Sequence, residues 1–346
     1  MQFAVRYWLS RSARDPTRVS FPFFSVVIPL YNKGTTIAET LASLLQQIDA
    51  SFEIIVVDDG SSDGGDTVAR NIDDNRIRLL RQDNAGPGAA RNRGIRAARG
   101  KWIAFLDADD LVAANHLAEL EAIASAHPDA GLIGTAFEEV RSAEVDLSPR
   151  KPGCIRTIDF FAAVANGSNP LCSSSAAIRS DVPDTIGYFG SARLGEDREY
   201  WARVALSYPV AVSDRVTSYY RRDVEGVTNA SRHRWRGKHF RTAGDIAPAA
   251  AIAEAALADE THGDKSESLE RFIDAYVGYC LHSAVVNGDV TTIRRLASLY
   301  RRGPPARDAI WFHASRFPRP LARIALACFR LVRSALYRPS RFLLRR

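Results

Sequence analysis

Short apolar segments alternate with amphipathic ones along the first 140 residues of the chain. Residues 24–30 (FSVVIPL) and 53–58 (EIIVVD) are apolar and rich in β-branched side chains, which is typical of strands buried on both faces of a sheet. Between them, residues 35–47 carry apolar side chains at three- and four-residue steps. That spacing predicts an amphipathic helix.

The same alternation continues along the chain. The patterns predict strands over 77–80, 102–107 and 130–137 and helices over 87–99 and 116–126. Strands that alternate with helices form parallel sheets through right-handed crossovers. We therefore predict an α/β fold with a Rossmann-like, mostly parallel sheet flanked by helices.

Helical patterning dominates again from about residue 249 to 301 and predicts a C-terminal helical extension. The chain of 346 residues is long enough for one α/β core plus such an appendage. We expect an N-terminal extension over 1–22, an α/β domain over 23–235, the helical extension over 236–314 and a distinct tail over 315–346.

The tail accounts for the basic character of the chain. The net charge is +6, and residues 315–346 hold nine arginines and no acidic residue. The remaining residues carry 37 lysines and arginines against 40 acidic residues. Nucleic-acid-binding domains usually spread basic residues over the fold itself, so we predict no nucleic-acid partner.

Five arginines of the tail recur on one side of a helical wheel, with apolar residues on much of the remainder. This pattern predicts a basic amphipathic helix that binds an anionic membrane surface. A helix that packs its apolar side on the domain shows the same period, so both interpretations stay open. Arginines interrupt the first 22 residues, no apolar run is long enough to span a bilayer, and the four cysteines form no CxxC pair. We expect a cytoplasmic protein, peripheral on the cytoplasmic face of the membrane if the tail binds there.

Acidic residues follow two of the predicted strands. The second strand runs into Asp58 and Asp59, and the fourth into Asp107, Asp109 and Asp110. Ligands of α/β sheets bind beyond the carboxyl ends of the strands. In extended chain Asp107 and Asp109 would face the same side and could share one Mg²⁺ or Mn²⁺ ion, with Asp109 as the direct ligand. An isolated pair of this kind is also typical of a solvated turn or a helix cap.

Four segments occur in order at βαβ spacing: VVIPLYN, VVDDGSSD, NAGPGAARNRGI and FLDADD. Together they resemble the family 2 glycosyltransferases of the GT-A fold, over about residues 25–221. The resemblance implies a metal-dependent transfer of a sugar from a nucleoside-diphosphate sugar to an acceptor hydroxyl. It also implies a glycan or lipid-linked glycan acceptor, in the synthesis of cell-surface polysaccharide or lipopolysaccharide.

The resemblance assigns roles to individual residues. Pro29 and Tyr31 would line the nucleotide pocket, and Asp59 would accept a hydrogen bond from the donor base. Uracil, thymine and guanine all present a suitable N–H, and the resemblance favours UDP. Arg91 would lie near the base and the phosphates, although an exposed helix arginine is the plain alternative.

A second acidic motif, GEDREYW over 195–201, resembles the segment that carries the catalytic base of this family. The base would be Asp197, which would accept the proton of the attacking hydroxyl and so support inversion of the anomeric carbon. Acidic residues at a helix N-terminus are also favoured for electrostatic reasons alone. The processive members' QxxRW motif is replaced by SRHRW over 231–235, which predicts a non-processive enzyme.

Two other functions fit part of the pattern. A nucleotidyltransferase would need a glycine-rich phosphate loop after the first strand, where PLYNKGTT stands. A non-catalytic nucleotide-sugar-binding scaffold would not need Asp107, Asp109 and Asp197 together. An NAD enzyme is disfavoured because no GxGxxG follows the first strand.

Overall fold

The computed structural model describes residues 21–141, 145–192, 195–222, 247–259, 262–287 and 290–302. These residues form a nine-stranded sheet with helices on both faces. The strands are β1 Phe24–Leu30, β2 Phe52–Asp58, β3 Ile77–Arg81, β4 Trp102–Phe105, β5 Leu111–Val112, β6 Leu132–Val140, β7 Ile155–Ile158, β8 Ala176–Arg179 and β9 Val210–Arg221. The α-helices are α1 Ile37–Leu45, α2 Gly65–Arg70, α3 Pro87–Ala97, α4 His116–Ala126, α5 Phe160–Ala165, α6 Val182–Ile186, α7 Glu196–Ser207, α8 Pro248–Ala258, α9 Ser266–Asn287 and α10 Val290–Ala297.

The first half of the sheet is parallel, as the sequence predicts. β1 lies between β2 and β4, and β3 pairs with the outer edge of β2. The register sets Leu30 beside Asp58, so the chain leaves both strands at the same edge. The predicted α/β class with a flanked sheet is confirmed.

The second half of the sheet is mixed. β8 is antiparallel to both β4 and β6, while β6 and β9 are parallel. The short strands β5 and β7 pair with β9 in antiparallel orientation. The continuous parallel region therefore covers the four strands that follow the βαβ pattern, and β6 and β9 form a separate parallel pair.

Alternate residues of the central strands face two hydrophobic layers. Val27 and Phe105 face the layer that contains α7 and the C-terminal helices. Val26 and Ile28 face the layer that contains α1 and α4. This alternation explains why the strand sequences are apolar on both sides.

Helix α3 packs unusually close to β1, and a glycine allows it. A Cβ atom at Gly94 would lie 2.3 Å from Val27 Cγ1, which is far inside van der Waals contact. Only a residue without a side chain fits there. The close approach fixes the position of Arg91, which lies one turn earlier on the same helix.

The helices after residue 247 share the hydrophobic layer of the sheet. On α9, the ring of Phe272 lies 5.2 Å from that of Phe161 and 6.2 Å from that of Phe160. Helix α8 buries Ala249, Ala250 and Ala253. The predicted helical character is present, while the predicted boundary at residue 235 lies outside the described residues.

Residues 1–20 of the predicted N-terminal extension over 1–22, and the whole predicted tail over 315–346, also lie outside the described residues. The expected amphipathic tail therefore stays a prediction. Within the described part of the chain, no helix combines the length and the apolar character needed to cross a membrane.

Candidate active site

The loops after β1, β2 and β4 meet at one edge of the sheet. The chain runs outward from β1 to β2 and β3 and then returns to β4 on the other side of β1. Such a reversal opens a crevice at the carboxyl ends of the central strands, where α/β sheets bind ligands. The predicted site residues at this edge are Pro29, Tyr31, Asp59, Asp107 and Asp109.

Contacts with the loop after β2 hold the segment after β1. Asn32 has a left-handed backbone conformation with φ of 51°, which asparagine tolerates better than most residues. Its N–H donates to Ser61 Oγ at 3.1 Å, and its Oδ1 accepts from the Ser62 N–H at 2.9 Å. The adjacent Tyr31 is 48% exposed, and Pro29 is half-buried. The Tyr31 ring is thus available to a ligand in the crevice.

Asp59 organises the loop that begins α3. Its Oδ1 accepts from Gln82 Nε2 at 2.8 Å and from the Ala85 N–H at 2.9 Å. Its Oδ2 accepts from the Gly86 N–H at 2.8 Å. The side chain is buried. Asp59 therefore has a structural role that the sequence did not reveal, and its contact with a donor base stays a prediction.

Arg91 joins two acidic motifs that are far apart in the sequence. Its guanidinium donates to Asp107 Oδ1 at 2.6 Å and to Glu196 Oε1 at 2.8 Å. The residue is only 3% exposed, so the alternative of an exposed helix arginine is wrong. Burial lowers the pKa of Arg91, but the charges of Asp107, Glu196 and Asp197 outweigh burial and raise it overall. The guanidinium is a fixed positive charge in the site.

Glu196 was not predicted as a site residue. Burial raises the pKa of its carboxyl group, and the charge of Asp197 adds to this, while Arg91 acts in the opposite direction. Glu196 stands beside the predicted base Asp197 in the sequence. The residue that it pairs with, Arg91, lies 105 residues away. Only the folded chain shows that Glu196 anchors the start of α7.

The segment 107–110 is a turn rather than extended chain. β4 ends at Phe105, and the Asp110 N–H donates to the Asp107 carbonyl at 3.1 Å. The expectation that extended chain places Asp107 and Asp109 on one side is therefore wrong in its geometry. The two carboxylates are nevertheless neighbours, since the charge of Asp107 contributes to a raised pKa of Asp109, after burial as the main cause.

Lys33 faces the predicted metal ligand. Its Nζ lies 2.5 Å from Asp109 Oδ2, and this ammonium lowers the pKa of Asp109 against the effect of burial. Among the described residues, no group of three or more His, Cys, Asp or Glu side chains is placed to hold a metal ion. Asp107 and Asp109 still fit a Mg²⁺ or Mn²⁺ ion that completes its shell with phosphate oxygens and water.

Two consecutive serines, Ser173 and Ser174, link the acidic turn after β4 to the acidic start of α7. They belong to the short 3₁₀ helix Ser173–Ser175. Ser174 Oγ accepts from the Asp107 N–H at 3.0 Å and donates to Asp110 Oδ2. Ser173 Oγ donates to Asp197 Oδ2 at 3.4 Å. The serine run before the apolar AAI of β8 is a turn signal, but its contacts depend on long-range packing.

Asp110 is the buried member of the cluster. It is fully buried, and its Oδ1 accepts from the Arg221 N–H at 3.0 Å. Burial, followed by the charges of Asp107 and Asp109, raises the pKa of Asp110 well above its usual range. Asp110 thus ties the turn to β9 and to the serines, whereas Asp107 and Asp109 reach the crevice.

Asp197 lies in the first turn of α7, which begins after Gly195 with φ of 75°. Its Oδ1 accepts from the Arg198 N–H at 2.8 Å, and the side chain is half-buried. The negative charge of Asp197 therefore stabilises the N-terminus of α7. The same carboxylate contacts Ser173 at the carboxyl edge of the sheet. The SRHRW segment at 231–235 lies outside the described residues.

Residues 25–162 match the family model described as glycosyl transferase family 2. This segment is a family 2 glycosyltransferase domain. The domain is 48% identical over 90 residues to the uncharacterized glycosyltransferase YibD of Escherichia coli K12, an alignment covering 25% of the chain and 26% of that protein. It is 45% identical over 97 residues to the succinoglycan biosynthesis protein ExoO of Rhizobium meliloti, covering 28% of each. The chain thus spans about a quarter of the length of these curated relatives.

Solved structures share the fold over most of the chain. Staphylococcus aureus TarS residues 1–349 in complex with UDP-GlcNAc superpose with a TM-score of 0.64 at 20% identity, covering 89% of this chain and 92% of that TarS fragment. The mannosyltransferase PcManGT from Pyrobaculum calidifontis in complex with GDP-Man and Mn²⁺ gives a TM-score of 0.54 at 18% identity, covering 95% of this chain and 94% of the PcManGT chain. These likenesses confirm the GT-A fold.

Proposed function

We propose that the protein is a non-processive, inverting glycosyltransferase that moves a sugar from a nucleoside-diphosphate sugar to a hydroxyl of a glycan acceptor. One observation carries this proposal: Arg91 contacts both Asp107 of the first acidic motif and Glu196 beside Asp197. This contact supports a crevice in which the proposed donor-binding residues lie close to the proposed general base. A scaffold that only binds nucleotide sugars would not require Asp197 at that edge.

The donor would bind over the loops after β1 and β2. Tyr31 presents an exposed ring at this edge, and Pro29 precedes it. A carboxylate offers about four acceptor positions, and Asp59 uses three of them for the loop of α3, which leaves one for an imide N–H. TarS was solved with UDP-GlcNAc and with UDP, which favours UDP here, and PcManGT with GDP-Man makes GDP the second choice.

The proposed sugar transfer depends on a divalent metal ion. Asp109 and Asp107 would hold a Mg²⁺ or Mn²⁺ ion, which would neutralise the leaving diphosphate. Lys33 now pairs with Asp109 at 2.5 Å, so its ammonium must give up this contact when Asp109 binds an ion. Arg91 keeps Asp107 oriented toward the same crevice.

Asp197 would act as the general base. The acceptor oxygen forms its bond to the anomeric carbon, its proton passes to the Asp197 carboxylate, and the bond to the diphosphate oxygen breaks. Attack opposite the leaving group inverts the anomeric carbon. Ser173 and the Arg198 N–H each contact one oxygen of Asp197 and orient the carboxylate for this transfer.

Residues 315–346 are proposed to bind an anionic membrane surface on the cytoplasmic side, next to a lipid-linked acceptor. Nine arginines without any acidic residue support this, because each basic residue near such a surface contributes about 1 kcal/mol. Cosedimentation with phosphatidylglycerol vesicles should exceed that with phosphatidylcholine vesicles. The Arg323→Glu/Arg330→Glu variant should lose the difference, and equal binding to both vesicles would contradict this part.

Donor binding is tested by thermal shift with UDP-, GDP- and dTDP-sugars, with and without Mn²⁺. A ligand that binds the folded state raises the melting temperature, and we expect one nucleotide class to do so only with metal. Asp109→Ala should abolish the shift, whereas Asp73→Ala, at an exposed position near β3, should keep it. If no nucleotide sugar shifts the folded wild-type protein, the proposal is wrong.

A further inference from the structure

Helix α9 reaches the start of α7, where Asp197 lies. The ring of Phe272 on α9 packs between α5 and Tyr276, with ring centroids 5.0 Å apart for Phe272 and Tyr276. Tyr276 in turn hydrogen-bonds the side chain of Arg198, the residue that follows Asp197. A continuous line of contacts therefore runs from the core of the C-terminal helices to the proposed base.

Arg198 is held from two sides at this point. Besides Tyr276, its guanidinium donates to Asn169 Oδ1 at 3.3 Å. Within the described part of the chain, no salt bridge joins Arg198 to a carboxylate, whereas Arg91 and Arg203 both have one. A guanidinium has five N–H donors in a rigid fork, so Arg198 retains donors for a ligand next to Asp197.

Tyr279 lies three residues beyond Tyr276 on α9, a spacing that places both on one helical face. It is 70% exposed, which is more than any other large hydrophobic or aromatic side chain in the described part of the chain. Its hydroxyl lies within electrostatic range of the Arg198 guanidinium. An exposed ring therefore lies on the face of α9 that contacts Arg198, the residue after Asp197.

We propose that Tyr279 and Arg198 form the acceptor subsite and bind the terminal pyranose ring of the glycan acceptor. This inference rests on the proposed function. One face of a pyranose presents C–H groups, which pack against an aromatic ring, while the tyrosine hydroxyl stays in water. The sugar hydroxyls would accept hydrogen bonds from Arg198. The Tyr279 face then orients one acceptor hydroxyl toward Asp197.

The assignment also explains why specificity is absent from the family 2 motifs. Residues 25–162 match the family model, whereas Arg198 and Tyr279 lie beyond that segment. The donor edge is built by the family segment, and the acceptor subsite by α7 and the C-terminal helices. Substitutions in α9 would therefore change which acceptor binds and would leave the donor edge unchanged.

Binding of methyl pyranosides to the full-length protein tests the subsite. We would titrate the methyl α- and β-glycosides of glucose, galactose, mannose and N-acetylglucosamine by saturation-transfer NMR with UDP and Mn²⁺ present. At least one should bind the wild type. Tyr279→Ala should weaken that binding by about fivefold to tenfold, and Tyr279→Phe should keep it, because the ring supplies the contact.

The matched control is Glu267→Ala, an exposed residue near the N-terminal end of α9, which should bind pyranosides like the wild type. All variants should keep the UDP-dependent thermal shift, which shows that the fold and the donor edge are intact. Three results would each overturn this inference. They are pyranoside binding by Tyr279→Ala equal to that of the wild type, a loss of binding in Glu267→Ala equal to that in Tyr279→Ala, and no pyranoside binding by the wild type. If UDP and the nucleotide sugars also fail to bind, the proposed function fails with it.

Discussion

Arg91 and Glu196 lie 105 residues apart in the chain, and their side chains meet at 2.8 Å in a buried ion pair. The same guanidinium holds Asp107 at 2.6 Å. The pair therefore fixes the distance between the turn after β4 and the first turn of α7. Arg91 thus links these two segments directly through one guanidinium.

Arg91→Ala should destabilise the protein by about 3 kcal/mol, because it leaves the buried Glu196 without its partner. Arg91→Lys should recover only part of this, since one ammonium cannot reproduce the fork that contacts two carboxylates. Urea unfolding monitored by tryptophan fluorescence measures both. Arg93→Ala, an exposed arginine on the same helix, is the control and should change stability by less than about 0.5 kcal/mol. Equal effects of Arg91→Ala and Arg93→Ala would show that the ion pair is not structural.

Lys33→Ala should increase the affinity for Mn²⁺. Lys33 Nζ occupies Asp109 Oδ2 at 2.5 Å, so an ion must compete with this ammonium for the carboxylate. Calorimetric titration of Mn²⁺ should show tighter binding by about threefold to tenfold, equivalent to roughly 1 kcal/mol of lost competition. Lys101→Ala, an exposed lysine at the opposite edge of the sheet, should leave the affinity unchanged. Weaker Mn²⁺ binding by Lys33→Ala would mean that Lys33 assists the ion rather than competes with it.

His116 should make the fold sensitive to acid. It is buried, and its Nδ1 lies 2.8 Å from Thr217 Oγ1. Thr217 Oγ1 also lies 2.8 Å from Thr135 Oγ1, so the imidazole belongs to a buried network of hydroxyl groups. Burial lowers the pKa of His116 to about 3.

The unfolded state binds a proton on this histidine below about pH 6.5, and the folded state does not. Stability should therefore fall as the pH drops from about 6.5 toward 3, by roughly 2 kcal/mol at pH 5. In His116→Asn, chemical unfolding should show a smaller loss between pH 7 and pH 5. His127→Asn, at a half-buried histidine, serves as control and should keep the wild-type pH dependence. An unchanged profile in His116→Asn would rule out this histidine as the cause.

The parallel half of the fold was predictable because its signals are local. The pattern predicted strands over 24–30 and 53–58, and the structure has them at Phe24–Leu30 and Phe52–Asp58. The helix predicted over 116–126 is observed there. β6 extends to Val140, three residues beyond its predicted end, since its polar end pairs with β9. Pairing partners of this kind are set by tertiary structure, which overrides the local pattern.

The residues of the candidate site also divide into those that have a local sequence signal and those that do not. Asp107 and Asp109 could be named because acidic residues follow the predicted fourth strand, and Tyr31 and Asp59 because their motifs resemble those of the family. Lys33, Ser174 and Glu196 could not, because each acquires its role from a partner in another part of the chain. The turn over 107–110 shows a further limit: the spacing of two aspartates did not reveal that β4 ends before them.

We propose that Asp197 accepts a proton during sugar transfer. The most direct test is the rate at which the wild type releases nucleoside diphosphate from the sugar donor that binds it, compared with Asp197→Asn. We expect the variant to keep the donor-dependent thermal shift and to lose about 10²- to 10⁴-fold in turnover. Glu199→Gln, two residues along the same helix, should stay close to the wild type. Release at the wild-type rate by folded, donor-bound Asp197→Asn would contradict the account.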